Sequence, residues 1–182
     1  MALSAREIAS SDIAHIASYW LSASDEYLLG MGADPSKMPT STEWNDMLAN
    51  QIATSYKEKN SFGTVWLDGE EPFGHCNINQ IEFGNQASMH LHIWDSGNRK
   101  KGNGQELVVE SLKLFFSNFN LKKVICEPYS QNIAPHKTLE KLGFTFIREY
   151  TTIPGSINFE QSVKRWEMTL EKFKEISKWN QE

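Results

Sequence analysis

The chain has 182 residues, 40% hydrophobic and 23% charged, with a net charge of −5, the composition of one globular domain with enough apolar residues for a real core. This excludes a mainly disordered chain, and the negative charge disfavours a duplex-DNA surface while leaving a cationic amine unopposed. No apolar run reaches bilayer-spanning length, Met1 to Arg6 lacks the segments of a secretory signal, and the two widely separated cysteines, Cys76 and Cys126, fit a reducing compartment. The expectation is one cytoplasmic domain over residues 1–182, monomeric or homodimeric, with no membrane or nucleic-acid partner.

A strand near Leu3 to Ile8 is followed by Ser11-Asp12, an N-cap, and by Ile13, Ile16, Trp20 and Leu21 at helical spacing. Gly30 to Pro39 reads as a breaker-rich loop. Thr40-Ser41-Thr42-Glu43 is a capping box for a helix carrying Trp44, Met47, Leu48, Ile52 and Tyr56 and ending near Lys59. Phe62 to Leu67 and Phe73 to Phe83 flank Asp68-Gly69 as an antiparallel hairpin, and Ser88 to Trp94 is a further strand. From Asn103 to Phe119 the residues Leu107, Val108, Ser111, Leu112, Phe115 and Phe116 form a helical stripe, and Lys122 to Glu127 returns to strand. Strand, helix, strand in that order is a βαβ crossover over a parallel pair. A helix from Pro135 to Leu142, capped by Gly143, precedes strands from Phe144 to Thr151 and Val163 to Leu170, and the 171–182 tail reads as helical.

The turn Arg99-Lys100-Lys101-Gly102-Asn103-Gly104-Gln105 joins a strand to a helix in a basic, glycine-containing run. Glycines allow close backbone approach, and the first N–H groups of a helix have no intrahelical partners, so this is an anion site; without a ligand, the same glycines would merely turn the chain. The Gly-Lys-Ser/Thr ending of a Walker loop and the spacing of a dinucleotide fingerprint are both absent. Asn132 falls just beyond a strand's carboxyl end, where open α/β sheets place ligands, ahead of Pro135 and the ending Glu140-Lys141-Leu142-Gly143-Phe144.

Arg99-x-x-Gly102-x-Gly104, together with Asn132 and the Leu142-Gly143-Phe144 ending, resembles the GNAT superfamily of N-acetyltransferases. Within it, Ser11-Asp12, Trp20 and Asp95 look most like the branch of ribosomal-protein N-terminal acetyltransferases. The resemblance implies an α/β (α+β) fold: a mixed, mostly antiparallel central sheet of about seven strands with a βαβ crossover and helices on both faces. It implies acetyl-CoA as co-substrate, with loop amides from Arg99 through Gly104 to Gln105 on the pyrophosphate. The backbone of Ile93 and Trp94 would lie near pantetheine and thioester, Asn132 on the pantetheine arm, and Lys100, Lys101 and Lys137 within reach of phosphate.

Acyl transfer needs an uncharged amine, and a lysine-like amine with a pKa of about 10.4 is neutral roughly once in a thousand molecules near pH 7.4. A base or a desolvating site is therefore useful. Ser88, His90 and His92 share one face of their strand, and Met89, Leu91 and Ile93 the other. His90 is either the base or a hydrogen-bonded strand histidine, and His92 packs or lines the site. Glu82 is a second candidate base or a solvated surface carboxylate, and Tyr129 is a candidate acid or a packed loop aromatic. Relatives often carry Glu where this chain has Met89 and Tyr where it has Leu139. His90 and His92 have no third ligand at a recognised spacing, so no metal is expected. Trp20 and Trp44, with Tyr27, Leu28 and Met31, would wall the acceptor site.

These residues define two readings. The first is transfer of acetyl from acetyl-CoA to a primary amine, on a small molecule or a peptide, by direct attack on the thioester. The other is a catalytically silent acyl-CoA-binding module.

Overall fold

The computed structural model describes residues 3–94 and 104–179. Period-two alternation along the strands sorts side chains to two faces of one seven-stranded sheet, ordered β1-β2-β3-β4-β5-β7-β6. The strands are β1 Leu3–Glu7, β2 Ser61–Asp68, β3 Glu71–Glu82, β4 Gln86–Ile93, β5 Lys123–Cys126, β6 Thr145–Thr152 and β7 Gln161–Thr169. All neighbours pair antiparallel except β4 and β5, which are parallel. Among the described residues the helices are α1 Ile13–Leu21, α2 Asp25–Gly30, α3 Ser41–Ala53, α4 Gly104–Phe119, α5 Ile133–Lys141 and α6 Leu170–Ser177. On β2, Phe62 and Trp66 enter a core with residues of α4, α5 and α6, while Val65 and Leu67 enter a second core with residues of α1, α2 and α3. The sheet is thus covered on both faces, as the resemblance implies.

Each helix on the first face follows from its stripe. Leu107, Val108, Leu112, Phe115, Phe116 and Phe119 of α4 are all buried, and burying each stabilises by about 1.5–3 kcal/mol. Ser111 sits in the same stripe for a different reason. Its Oγ donates to the Leu107 carbonyl at 2.8 Å, accepts the Trp66 indole N–H at 3.0 Å and lies 2.8 Å from Thr64 Oγ1, which also reaches the Cys76 carbonyl at 3.2 Å. One hydroxyl therefore satisfies the buried indole of Trp66 where α4 packs on the sheet.

On the other face the capping box is in place: Thr40 Oγ1 accepts from Glu43 N at 3.3 Å, and Glu43 Oε2 accepts from Thr40 N at 2.7 Å. The expected continuation of this helix to Lys59 is corrected. α3 stops at Ala53 because Thr54 turns extended, with ψ 144°, and its hydroxyl bonds back to the Asn50 carbonyl at 2.7 Å. Lys59 folds back so that its ammonium meets the last carbonyls, those of Gln51 and Ile52. Tyr56, freed from the helix, donates to Glu7 Oε2 at 2.7 Å. Between α1 and the expected Gly30–Pro39 loop lies α2, which the sequence reading did not include, capped by Ser24 Oγ accepting from Tyr27 N at 3.2 Å. Gly69 at the β2–β3 turn and Gly143 after α5 both carry positive φ, 66° and 84°, which fits their reading as turn and C-cap.

Ser111→Ala leaves the buried Trp66 N–H without a partner, while the Thr64 hydroxyl keeps the Cys76 carbonyl. We expect a loss of about 1–3 kcal/mol in urea unfolding; a loss below about 0.5 kcal/mol would contradict this reading of the network.

Candidate active site

Strands β3 and β4 set two rows of polar side chains against the α1–α3 layer. The register pairs His75 with His92, Asn77 with His90 and Asn79 with Ser88, while Cys76, Ile78 and Met89 point into the opposite core. His75 and His92 stack with ring centres 4.6 Å apart, and His90 Nε2 lies 3.3 Å from Asn79 Oδ1. Trp94, just past β4, donates its indole N–H to His75 Nδ1 at 2.7 Å. An indole nitrogen only donates, so His75 Nδ1 is an acceptor and the ring is neutral. His92 Nδ1 is 3.2 Å from the Tyr19 hydroxyl, which is 3.1 Å from that of Tyr27.

Burial pushes all three imidazoles toward the neutral form. His75 falls to about 3, His90 to about 4, with the Glu127 charge partly opposing the shift, and His92 lies well below the ordinary value of 6.5. With Nε2–H donated to Asn79, the lone pair of His90 stays on Nδ1.

Above this floor is a cleft of about 370 Å³, walled by Trp20, Met31, Trp44 and Leu48 and lined below by His75, Asn77, Asn79, His90 and His92. Trp20 and Trp44 stack 5.6 Å apart at 11°. A second slot of about 100 Å³ opens on the other side of His90 and His92, between the ends of β4 and β5. Its origin is local. The parallel ladder stops at Ser88↔Ile125, Cys126 Sγ donates to the Met89 carbonyl at 3.1 Å, and Pro128 has no N–H to continue the pairing. From there the chain follows β7: Tyr129 bridges Val163, Ser130 N donates to the Ser162 carbonyl at 2.9 Å, and Lys164 N donates to the Pro128 carbonyl at 3.2 Å. His136 fixes the same wall, its Nε2–H donating to the Tyr129 carbonyl at 3.0 Å while its Nδ1 accepts from Trp166 at 3.2 Å. His90 and His92 line both cavities.

The expected site residues divide clearly. His90, Tyr129 and Asn132 are brought together around the slot. Asn132 caps α5 by position, yet its side chain makes no capping hydrogen bond, which leaves it to the slot. Pro135 also lines the slot and is the third residue of α5, where the missing N–H would have had no helical partner. Glu82 is not brought there. It is exposed in the β3–β4 turn, its carboxylate accepting from Asn85 Nδ2 at 2.6 Å and Gln86 Nε2 at 3.0 Å. Ile93 and Trp94 do not line the slot, and the backbone N–H of Trp94 donates to the Phe73 carbonyl at 3.0 Å, on the side away from β5. Lys137 is exposed on α5. Leu139 and Met89 are both buried core residues. Arg99, Lys100, Lys101, Gly102 and Asn103 lie outside the described residues. Gly104 and Gln105 open α4, and a Cβ built on Gly104 would meet no atom within 4 Å, so packing does not demand that glycine.

His75, Asn77 and Asn79 were not singled out in the sequence. Their signal was the alternation His75-Cys76-Asn77-Ile78-Asn79, the mirror of His90-Leu91-His92 across the hairpin. Among the described residues no group of three potential ligands is arranged to hold a metal, and no helix is long and apolar enough to cross a membrane.

The family model described as an acetyltransferase (GNAT) domain matches residues 3–145. The chain belongs to that family of acetyltransferases. In three dimensions it is similar to a spermidine N-acetyltransferase from Vibrio cholerae, solved with CoA and spermine, at 18% identity and a TM-score of 0.76, over 94% of this chain and 97% of that one. It is also similar to RimL, a ribosomal L7/L12 α-N-protein acetyltransferase solved with coenzyme A, at 13% identity and a TM-score of 0.74, over 93% and 95%. At these identities the likeness is one of fold. No curated protein matches the sequence.

The neutral histidines link this site to stability. Unfolded imidazoles protonate near 6.5, whereas His75 and His90 resist to about 3 and about 4. Between those values the unfolded chain binds more protons, so stability is full above pH 6.5 and is lost as the pH falls. Each histidine contributes about 1.4 kcal/mol per pH unit within its interval. Thermal melts should show Tm falling steadily from pH 6.5 to 4.5, less steeply in His75→Asn; a flat Tm over that range would mean that the rings are solvated.

Proposed function

We propose that this chain transfers the acetyl group of acetyl-CoA to a primary amine, with the thioester end of the donor in the slot between β4 and β5 and the amine in the cleft beneath α1 and α3. The observation that carries this reading is that the two cavities share His90 and His92, so an acyl carbon and a nitrogen can meet there. On the donor side, Asn132 and the gap where β4 and β5 part suit the amide groups of a pantetheine arm. The N-terminus of the 16-residue α4, at Gly104 and Gln105, suits a pyrophosphate. The space a Cβ would fill at Gly104 is consistent with that use. The basic residues Arg99, Lys100 and Lys101 precede this helix start and add charge of the required sign.

On the acceptor side the apolar wall and neutral floor favour the uncharged amine, which is the reactive form. The nitrogen becomes strongly acidic as its bond to carbon forms, so even a weak base can take its proton. His90, neutral at physiological pH with its lone pair on Nδ1, fills that role. Tyr129, across the slot from β4, is the group we assign to protonating the departing thiolate. Glu82, held in its turn, takes no part.

Thiol release from acetyl-CoA in the presence of varied amines tests the reading. We expect His90→Ala to lower kcat/KM about 10²-fold. The wild-type acid limb of kcat/KM should follow the pKa of the acceptor and show no inflection near 6.5, because His90 is already neutral there. Undiminished turnover in His90→Ala, or an inflection near 6.5 that this variant removes, would contradict the assignment.

A further inference from the structure

Two loops far apart in the sequence are joined to each other beside the site. One follows α2 and covers residues 31–37; the other connects β6 to β7 over residues 153–160. Backbone pairing begins the contact: Ala33 bridges Asn158 antiparallel, and Asp34 N donates to the Ile157 carbonyl at 2.7 Å. Side chains complete it. The Gly32 carbonyl accepts from Asn158 Nδ2 at 2.8 Å and from Gln161 Nε2 at 2.6 Å, its two lone pairs serving one donor each. Lys37 Nζ donates to the Asn158 carbonyl at 2.8 Å. Gln161 opens β7 and is only 5% exposed, and its Nε2 also reaches the Phe159 carbonyl at 3.1 Å. Glycine is required at position 32, where φ is 83° and a Cβ would run into the Gln161 carboxamide. Gly32, Asn158 and Gln161 thus form a clasp between the loops.

The place of this clasp gives it a consequence. Among the described residues four line both the cleft and the slot: His90 and His92 on β4, Met31 on one loop and Asn158 on the other. Met31 adjoins Gly32, and Asn158 is itself a donor to it. The clasp therefore fixes two of the four residues that bound the point where donor and acceptor would meet. Water competes with an amine at that point. It adds to the same carbonyl carbon, the C–S bond breaks, and acetate and the coenzyme A thiol are released with no amine acetylated. Loops held shut around the meeting point exclude that water and favour the bound amine.

We propose that Gln161, acting through the Gly32 carbonyl, is a positioning residue that sets the preference for amine over water: the clasp holds Met31 and Asn158 at the junction of the two cavities and keeps bulk water from the thioester. This inference rests on the acetyl-transfer reading of the two cavities.

Two variants break the clasp from opposite sides. Gln161→Met keeps the length of the side chain and removes the donor, and Gly32→Ala drives the carboxamide away. Acetate and acetylated amine are quantified from acetyl-CoA, first without amine and then with phenethylamine, spermidine or a short peptide bearing a free N-terminus. Each variant should raise acetate formation without amine about tenfold, and lower the ratio of acetylated amine to acetate by at least as much. Loss of folded protein reduces both products alike and leaves the ratio unmoved, so the ratio separates a clasp from general destabilisation. If the wild type acetylates an amine while ratio and acetate formation are unchanged in both variants, the clasp is overturned and acetyl transfer stands. If the wild type acetylates none of the amines, acetate formation alone decides. A rise in both variants then upholds the clasp and overturns acetyl transfer, and no rise overturns both.

Discussion

The structure turns on the point where β4 and β5 part. Three rungs of parallel pairing end at Ser88↔Ile125, and Pro128, which has no N–H to offer, sends the chain to β7 instead. Had the ladder continued, no slot would open beside His90, and β4 would be an ordinary interior strand. The divergence leaves the last residues of β4 with a cavity on either side. The neighbouring elements brace it: α4 is anchored through Ser111 on Trp66 and Thr64, and α5 through His136 on the Tyr129 carbonyl. In the proposed reaction, a fork of this kind holds the two reactants close together, which is the main service a site can give to direct acyl transfer.

On the acceptor side, electrostatics follow from burial. Packing α1 and α3 over β3 and β4 buries His75 and leaves His90 and His92 half-buried at the two cavities, and desolvation pushes all three rings toward the neutral form, at a cost in stability that grows as the pH falls. The same burial gives His90 a free lone pair at neutral pH and a surface that favours an uncharged amine. Stability and the proposed chemistry therefore draw on one feature, the unprotonated state of these rings. Trp94 and Tyr19 hold His75 and His92 in place by hydrogen bonds at 2.7 and 3.2 Å, leaving His90 to Asn79.

Much of this was legible in the sequence wherever a period ran long enough. The β2–β3 hairpin, the crossover helix with its Leu107 to Phe116 stripe, the Thr40–Glu43 capping box and the Gly143 stop all follow from local chemistry, whereas the placing of β7 between β5 and β6 is a tertiary fact. The end of α3 did not, because Thr54 and Lys59 compete for the helix backbone in ways that periodicity does not register. α2 was too short, at six residues, to show a period, although Ser24 followed by Asp25 and Glu26 is a helix start. The basic turn announced an anion site by composition alone. His90 was visible from its strand face, but its partners His75, Asn77 and Asn79 required the hairpin register, a tertiary fact. Glu82 looked like a strand-end acid, and only the turn geometry shows its carboxylate held by Asn85 and Gln86.

The central claim is that donor slot and acceptor cleft meet at His90 and are occupied together. A conjugate joining coenzyme A sulfur through a two-carbon acyl spacer to the nitrogen of a primary amine that the protein acetylates should span both. Its affinity, measured by calorimetry, should exceed that of coenzyme A alone by about 10²-fold, the gain expected when a second site is engaged by a tethered ligand. An affinity no greater than that of coenzyme A would mean that the two cavities are not one site.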